Sequence, residues 1–316
     1  MRKNRLASSK RREAERRCVV TGAAGMLGTA LVPALRELGF RVYATDIVVD
    51  RPDIDPLDVR DLDALDAYFR KTAPMIVFHL AAETDVDKCE LDPDHAFLTN
   101  VIGTQNVCIA ARRVNATVFY ISTAGVFDGM KSEPYTEFDE PNPINVYGKT
   151  KFEAEKIVKD LCQRYFIVRA GWMIGGGRKD KKFVAKILMQ LRKGARILYV
   201  VNDKFGTPTY TVDFSRVICK LAETDWYGLY HAACTGEGSR LDVAREILSF
   251  LGRDDVELVP VPSEFFRNSY PAPRPRSEMM RNYMLELRGL NIMRSWKEAL
   301  REYLATNYKD IGGDLL

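Results

Sequence analysis

No stretch of this chain approaches the roughly 18 consecutive apolar residues of a membrane-crossing helix, so no membrane span is expected. Nor do its first residues show the basic, then apolar, then small-residue order of a secretory leader. Six cysteines (Cys18, Cys89, Cys108, Cys162, Cys219 and Cys234) are scattered and never form a Cys-x-x-Cys pair. This argues against a disulfide frame and predicts reduced thiols in a cytoplasmic protein. Histidine is scarce. His79, His95 and His231 stand at no metal-ligand spacing from one another or from a cysteine, so no metal is expected. Repeats and low-complexity segments are also absent.

What is present is an ordinary globular composition, 46% hydrophobic and 28% charged. At 316 residues, the chain is long enough for one large α/β domain, or one domain plus a lobe. Its charge is uneven. Residues 1–17 hold eight basic and two acidic side chains, leaving −2 on the remainder against a total of +4. A basic patch attracts nucleic acid or an anionic membrane in many proteins. This tail, however, has no aromatic ring to stack on bases and few large apolar side chains to enter lipid. It reads as a solvated basic extension, with neither nucleic acid nor membrane expected as a partner.

Through the first half, β-rich apolar runs alternate with helical patterns. RCVVTG, RVYATDIV, MIVFHLAAE, ATVFYISTAGVF and FIVRAGWMI read as strands. MLGTALVPALREL, DHAFLTNVIGTQNVCIAARRV and KTKFEAEKIVKDLCQRY read as helices. The alternation predicts crossover connections and an α/β fold with a doubly wound, Rossmann-like parallel sheet. Such sheets bind ligands at the carboxyl ends of their strands. After about residue 172 the alternation loosens, and YPAPRPRS is too proline-rich for a helix or central strand. The expected organisation is a dinucleotide-binding domain over 18–172 and a smaller, mostly substrate-binding lobe over 173–316. Segments of that lobe are expected to return to the sheet.

VVTGAAGMLG sets Gly22, Gly25 and Gly28 at a strand-to-helix turn. Gly22 permits the turn, Gly25 lets backbone approach a pyrophosphate, and Gly28 lets the helix pack close. The helix start, with Met26 and Leu27, offers N–H groups and a positive dipole end to phosphates. A plain tight turn uses glycine too, so the context matters. Asp46 ends the next strand, where a carboxylate accepts hydrogen bonds from both hydroxyls of an adenosine ribose. It would repel a 2′-phosphate. NAD(H) is therefore expected, with NADP(H) left open because Arg51 lies close by. LDV at 57–59 brings Asp58 and Val59 toward the adenine, and Ala81 and Ala82 are small enough to flank the dinucleotide.

VYGKTK contains Tyr147 and Lys151, four apart and so on one helix face. A lysine cation beside a phenol stabilises the phenolate, which equips Tyr147 to exchange a proton with a carbonyl or alcohol oxygen. ISTAGVF ends a strand shortly before, supplying Ser122 and Thr123 hydroxyls at the cleft. Thr123 is suited to hold the substrate oxygen, although a strand-capping hydroxyl has the same signature.

The TGxxGxxG turn, the strand-end Ser-Thr and the Y-x-x-x-K helix together resemble the extended short-chain dehydrogenase/reductases. More specifically, TDVDKCE (84–90), STAGVFDG (122–129), VYGKTKFEAE, RAGW (169–172), NDKFGTPTYTVDF (202–214), GLYHAA (228–233) and APRP (272–275) resemble the dTDP-4-dehydrorhamnose reductase family, in its order. The likeness runs from about residue 18 to about residue 305. It implies an NAD(P)-dependent oxidoreductase acting on the CH–OH group of a nucleotide sugar, here by reduction of a 4-keto group on a nucleotide-activated deoxysugar. It implies Thr123, Tyr147 and Lys151 as the catalytic residues, with Lys151 also binding the nicotinamide ribose. Thr84 and Val86 would line the sugar site, Trp172 would lie near the substrate, and Asn100 would support the site. Arg274 would lie near the nucleotide, where a guanidinium pairs with a diphosphate. Core packing for Trp172 and simple exposure for Arg274 are the competing readings. Homodimers are common in the superfamily.

Two departures stand out. Ala124 and Gly125 replace the family's usual Asp-Tyr, and Glu278 and Arg281 replace a Ser and an Asp. A 4,6-dehydratase would need an acid–base pair beside the threonine, and an epimerising reductase a cysteine near that strand end; STAGVF supplies neither. A cofactor-binding regulatory protein, resembling the β-subunit of methionine adenosyltransferase, is the alternative from another class.

Overall fold

Apolar runs bounded by turn residues become strands, and the amphipathic stretches between them become helices. The computed structural model describes residues 16–308. The basic extension expected at 1–17 therefore lies outside the described residues, except Arg16 and Arg17. The strands are β1 (Arg17–Thr21), β2 (Arg41–Asp46), β3 (Ile54–Pro56), β4 (Ile76–His79), β5 (Thr117–Thr123), β6 (Tyr165–Ala170) and β7 (Trp172–Ile174). They continue with β8 (Ile197–Val201), β9 (Phe205–Gly206), β10 (Pro208–Tyr210), β11 (Gly228–Ala232), β12 (Gly238–Ser239), β13 (Glu257–Val261) and β14 (Ser277–Glu278).

Seven of these form one sheet in the order β11-β6-β5-β4-β1-β2-β3. Every pairing in it is parallel. This is a Rossmann-like sheet. The chain winds outward in one direction from β1 and in the other from β4, so the switch point, where such sheets open a crevice, lies between those two strands. Burial follows the pleat. Cys18, Val20 and Phe78 join one apolar cluster, whereas Val19 and Val77 join another on the opposite face. The first cluster continues through Phe214 to Ile247 and Leu300, so the later elements pack onto the same face. β11 adds the seventh strand, and the helix Thr211–Ala222 packs on the helix Gly28–Glu37. Among the described residues, no helix is long and apolar enough to cross a membrane.

Three elements differ from their sequence reading. FIVRAGWMI is two strands. β6 pairs with β11 as far as Ala170, then β7 pairs with β10 in a separate sheet. The break falls at Gly171, whose N–H bonds to Thr209 while that of Trp172 bonds to Thr207 O. The long helix read from 94 to 114 is interrupted by a wider π turn at Leu98–Ile102, and such turns favour functional sites. ATVFYISTAGVF stops being a strand at Thr123 and tightens into a 3-10 turn over Ala124–Val126.

Candidate active site

A cleft of about 1590 Å³ opens at the carboxyl ends of the central strands. Its floor at one end is the glycine turn. Gly22 has φ of +72°, and a Cβ there would lie 2.5 Å from Ala81 N, so both conformation and space require glycine. A Cβ on Gly25 would meet only Gly22 O within 4 Å, because the turn faces open cleft there. Gly22, Gly25, Met26 and Leu27 all line this space, as do Asp46, Asp58, Val59, Ala81 and Ala82. Asp46 is fixed by two backbone donors, Ala24 N and Val48 N, each at 2.9 Å. Asp58 clamps Arg60 through its Nε and Nη2, and that guanidinium holds the carboxyl below its usual range. This backbone cradle at the start of a helix fits a dinucleotide diphosphate.

At the other end, the helix Val146–Leu161 carries Tyr147 and Lys151. Asn145 caps it by accepting from Gly148 N at 2.8 Å, and its amide donates to Pro273 O. A Cβ on Gly148 would sit 2.1 Å from Gly125 O. Glycine there lets the helix start press onto the end of β5, which brings Tyr147 to Thr123. Thr123 accepts from Gly125 N at 3.1 Å, as a strand cap does. Burial raises the Tyr147 pKa above its ordinary value, while the nearby Thr123 hydroxyl works the other way. The expected lowering by Lys151 is not what this geometry gives. The Lys151 ammonium lies 4.2 Å from the ring centroid of Tyr120, and burial pushes its pKa down to about 7.

Behind this pair lies a network that motif reading missed. Glu155, one turn beyond Lys151, is fully buried and takes two bonds from Arg169, at 2.8 and 2.7 Å. Ser122, expected at the cleft with a free hydroxyl, instead donates to Glu155 at 2.6 Å. Arg169 also reaches His231 Nε2 at 3.3 Å. Asn100, in the π turn, bonds the backbone of Glu83 on both sides and donates to Thr150, next to Lys151. Only the length and apolar surroundings of FEAEKIV and FIVRA hinted that a charge in each would need a partner.

The residues expected at the sugar are more self-paired than the sequence suggests. Trp172 lines the cleft, but its indole donates to Glu278 at 2.7 Å and the Arg240 guanidinium lies 3.6 Å from its ring centroid. Arg274 lines the cleft while donating to Asp87 at 2.7 Å and to Ala272 O. Val86 begins the helix Val86–Leu91, and Thr84 accepts from Lys182 through its carbonyl. Arg240 and Lys182 were missed because neither belongs to a short motif. Cys89, absent from the strand-end search, sits close enough to bear on Tyr147 and Lys151, yet it is fully buried and its pKa is pushed up to about 12. A protonated, enclosed thiol gives no support to epimerisation. His79 is a core residue held by Thr21 and Thr104. Among the described residues, no group of three or more His, Cys, Asp or Glu side chains is arranged to hold a metal ion.

Known proteins share both sequence and shape with this chain. The dTDP-4-dehydrorhamnose reductase of Mycolicibacterium smegmatis is 33% identical over 291 residues, 92% of this chain and 85% of the relative. A dTDP-4-dehydrorhamnose reductase from Clostridium acetobutylicum superposes with a TM-score of 0.84 at 42% identity, covering 92% of this chain and 99% of that one. The one from Bacillus anthracis, solved in complex with NADP, gives a TM-score of 0.85 at 35% identity over the same shares. The sequence profile described as RmlD substrate binding domain matches residues 16–309. This chain belongs to the RmlD substrate binding domain family, within the extended short-chain dehydrogenase/reductase fold.

Proposed function

We propose that this protein reduces the 4-keto group of a nucleotide-activated deoxysugar, as the name dTDP-4-dehydrorhamnose reductase states for its relatives. The reading assigns residues 18–172 to the cofactor and most of 173–316 to the substrate. One observation carries it: Tyr147 and Thr123 come together at the end of β5, where Gly148 presses on Gly125, in the same cleft as the glycine turn and Lys151. Gly22, Gly25, Met26 and Leu27 would hold the dinucleotide diphosphate, Asp46 the adenosine ribose, and Lys151 the nicotinamide ribose. NAD(P)H, when bound, supplies the hydride that reduces the carbonyl carbon.

The protein's own part is to orient the carbonyl and manage one proton. Thr123 donates to the ketone oxygen, and Tyr147 passes its phenolic proton to that oxygen as it becomes an alcohol. Burial keeps Tyr147 protonated and makes its phenol a weaker acid, so the transfer is driven by the strong basicity the ketone oxygen gains as the carbonyl carbon is reduced. Lys151, with its pKa near 7, carries positive charge on a substantial fraction of molecules there. Its assigned part is to hold the nicotinamide ribose, not to lower the Tyr147 pKa.

The test mixes the full chain with NADH or NADPH and dTDP-4-dehydrorhamnose, following cofactor oxidation by absorbance. Tyr147→Phe should lower turnover about a hundredfold or more, in line with general-acid contributions. Absence of turnover in the wild type, or undiminished turnover in Tyr147→Phe, would sink the proposal.

A further inference from the structure

We propose that Glu278 is a specificity-determining residue whose carboxylate accepts a hydrogen bond from a hydroxyl on the sugar ring. The assignment rests on the nucleotide-sugar reading and adds the group that sorts one sugar from another. β14 holds the Glu278 backbone in place by pairing with β9. Trp172 Nε1 donates to Oε2 at 2.7 Å, which fixes the carboxylate and occupies one oxygen. Arg240 lies over the indole, so the ring that holds Glu278 is itself held.

The second oxygen faces the reaction centre. A Cβ built on Gly125 would lie 3.7 Å from Glu278 Oε1 and 3.4 Å from Thr123 Oγ1. Both oxygens therefore border one small region, and because residue 125 has no side chain, that region stays open. Thr123, Gly125, Tyr147, Trp172, Arg240 and Glu278 all line the cleft around it. A carboxylate offers about four acceptor sites, and the indole N–H takes only one. A ring hydroxyl beside the reacting carbonyl would complete it. A site built to hydrogen-bond a hydroxyl discriminates strongly against the analogue that lacks it, because its own polar group is then left unpaired.

The experiment titrates dTDP-rhamnose and its 2-deoxy and 3-deoxy counterparts into the full chain by calorimetry, with NADP+ present. Wild-type protein should bind the parent about ten- to a hundredfold more tightly than one of the two deoxy compounds. Glu278→Ala should bring that pair to within about twofold. Glu278→Gln, which keeps an acceptor for Trp172 and tests the charge alone, should fall between, and it serves should the alanine variant not fold. Variants that keep the wild-type ratios would overturn the role of Glu278 while leaving the nucleotide-sugar reading intact. Wild-type protein that binds none of the three compounds would overturn that reading, and the role of Glu278 with it.

Discussion

At Asp46 one side chain shapes a turn and also sets the charge of the cleft. Its two oxygens accept from Ala24 and Val48, which ties the glycine turn to the end of β2. Under the proposed function each oxygen would keep a lone pair for a ribose hydroxyl, and the negative charge would oppose a 2′-phosphate. Arg51 does little to cancel this, since it reaches toward Ala23 O and Asp53. Replacing Asp46 by Asn keeps one acceptor and removes the charge. A like-charge contact near a protein surface is worth on the order of 1–2 kcal/mol at such separations. Asp46→Asn should therefore raise the NADPH-to-NADH ratio of kcat/KM about tenfold. An unchanged ratio would mean the 2′-phosphate lies elsewhere.

Glu155 and Arg169 join elements as well as charges: the helix bearing Tyr147 and Lys151 is bolted to β6 through them and to β5 through Ser122. Both side chains are almost fully buried. Removing one partner of such a pair costs about 3–5 kcal/mol, because the other charge stays buried. Glu155→Gln should thus lose about that much stability in urea unfolding at neutral pH. Glu155→Leu combined with Arg169→Met should recover a large part of it, since no charge is stranded. Equal losses in the single and double variants would argue against the pair. This bolt was not legible in the sequence, although the sheet and the glycine turn were. Alternating apolar runs and glycines at steps of three are local signals, and the physics that reads them is local too. Glu155 and Arg169, or Trp172, Arg240 and Glu278, meet only through the tertiary fold. The change of partner at Gly171 is hidden for the same reason, since an apolar run does not state which strand it pairs with.

At the scale of the whole molecule, two buried histidines set a limit on acid stability. His79 lies between Thr21 and Thr104. His231 accepts from Arg169 at Nε2 and so donates from Nδ1 to Tyr135 O at 3.2 Å. Burial, aided by Lys151 at the first site and Arg169 at the second, lowers both pKa values from 6.5 to about 3. Between those values the unfolded chain binds protons that the folded one refuses. The stability associated with neutral histidine is therefore fully present above about pH 6.5 and is lost as pH falls toward 3. Each site should cost roughly 2 kcal/mol between pH 7 and pH 5, at about 1.4 kcal/mol per unit of pH below the unfolded pKa. His79→Asn removes one titrating group while keeping a side chain able to bond both threonines. Its urea unfolding free energy should fall between pH 7 and pH 5 by roughly 2 kcal/mol less than that of the wild type. If the two proteins lose the same amount, His79 is taking up its proton in the folded state, and acid sensitivity must arise from other groups.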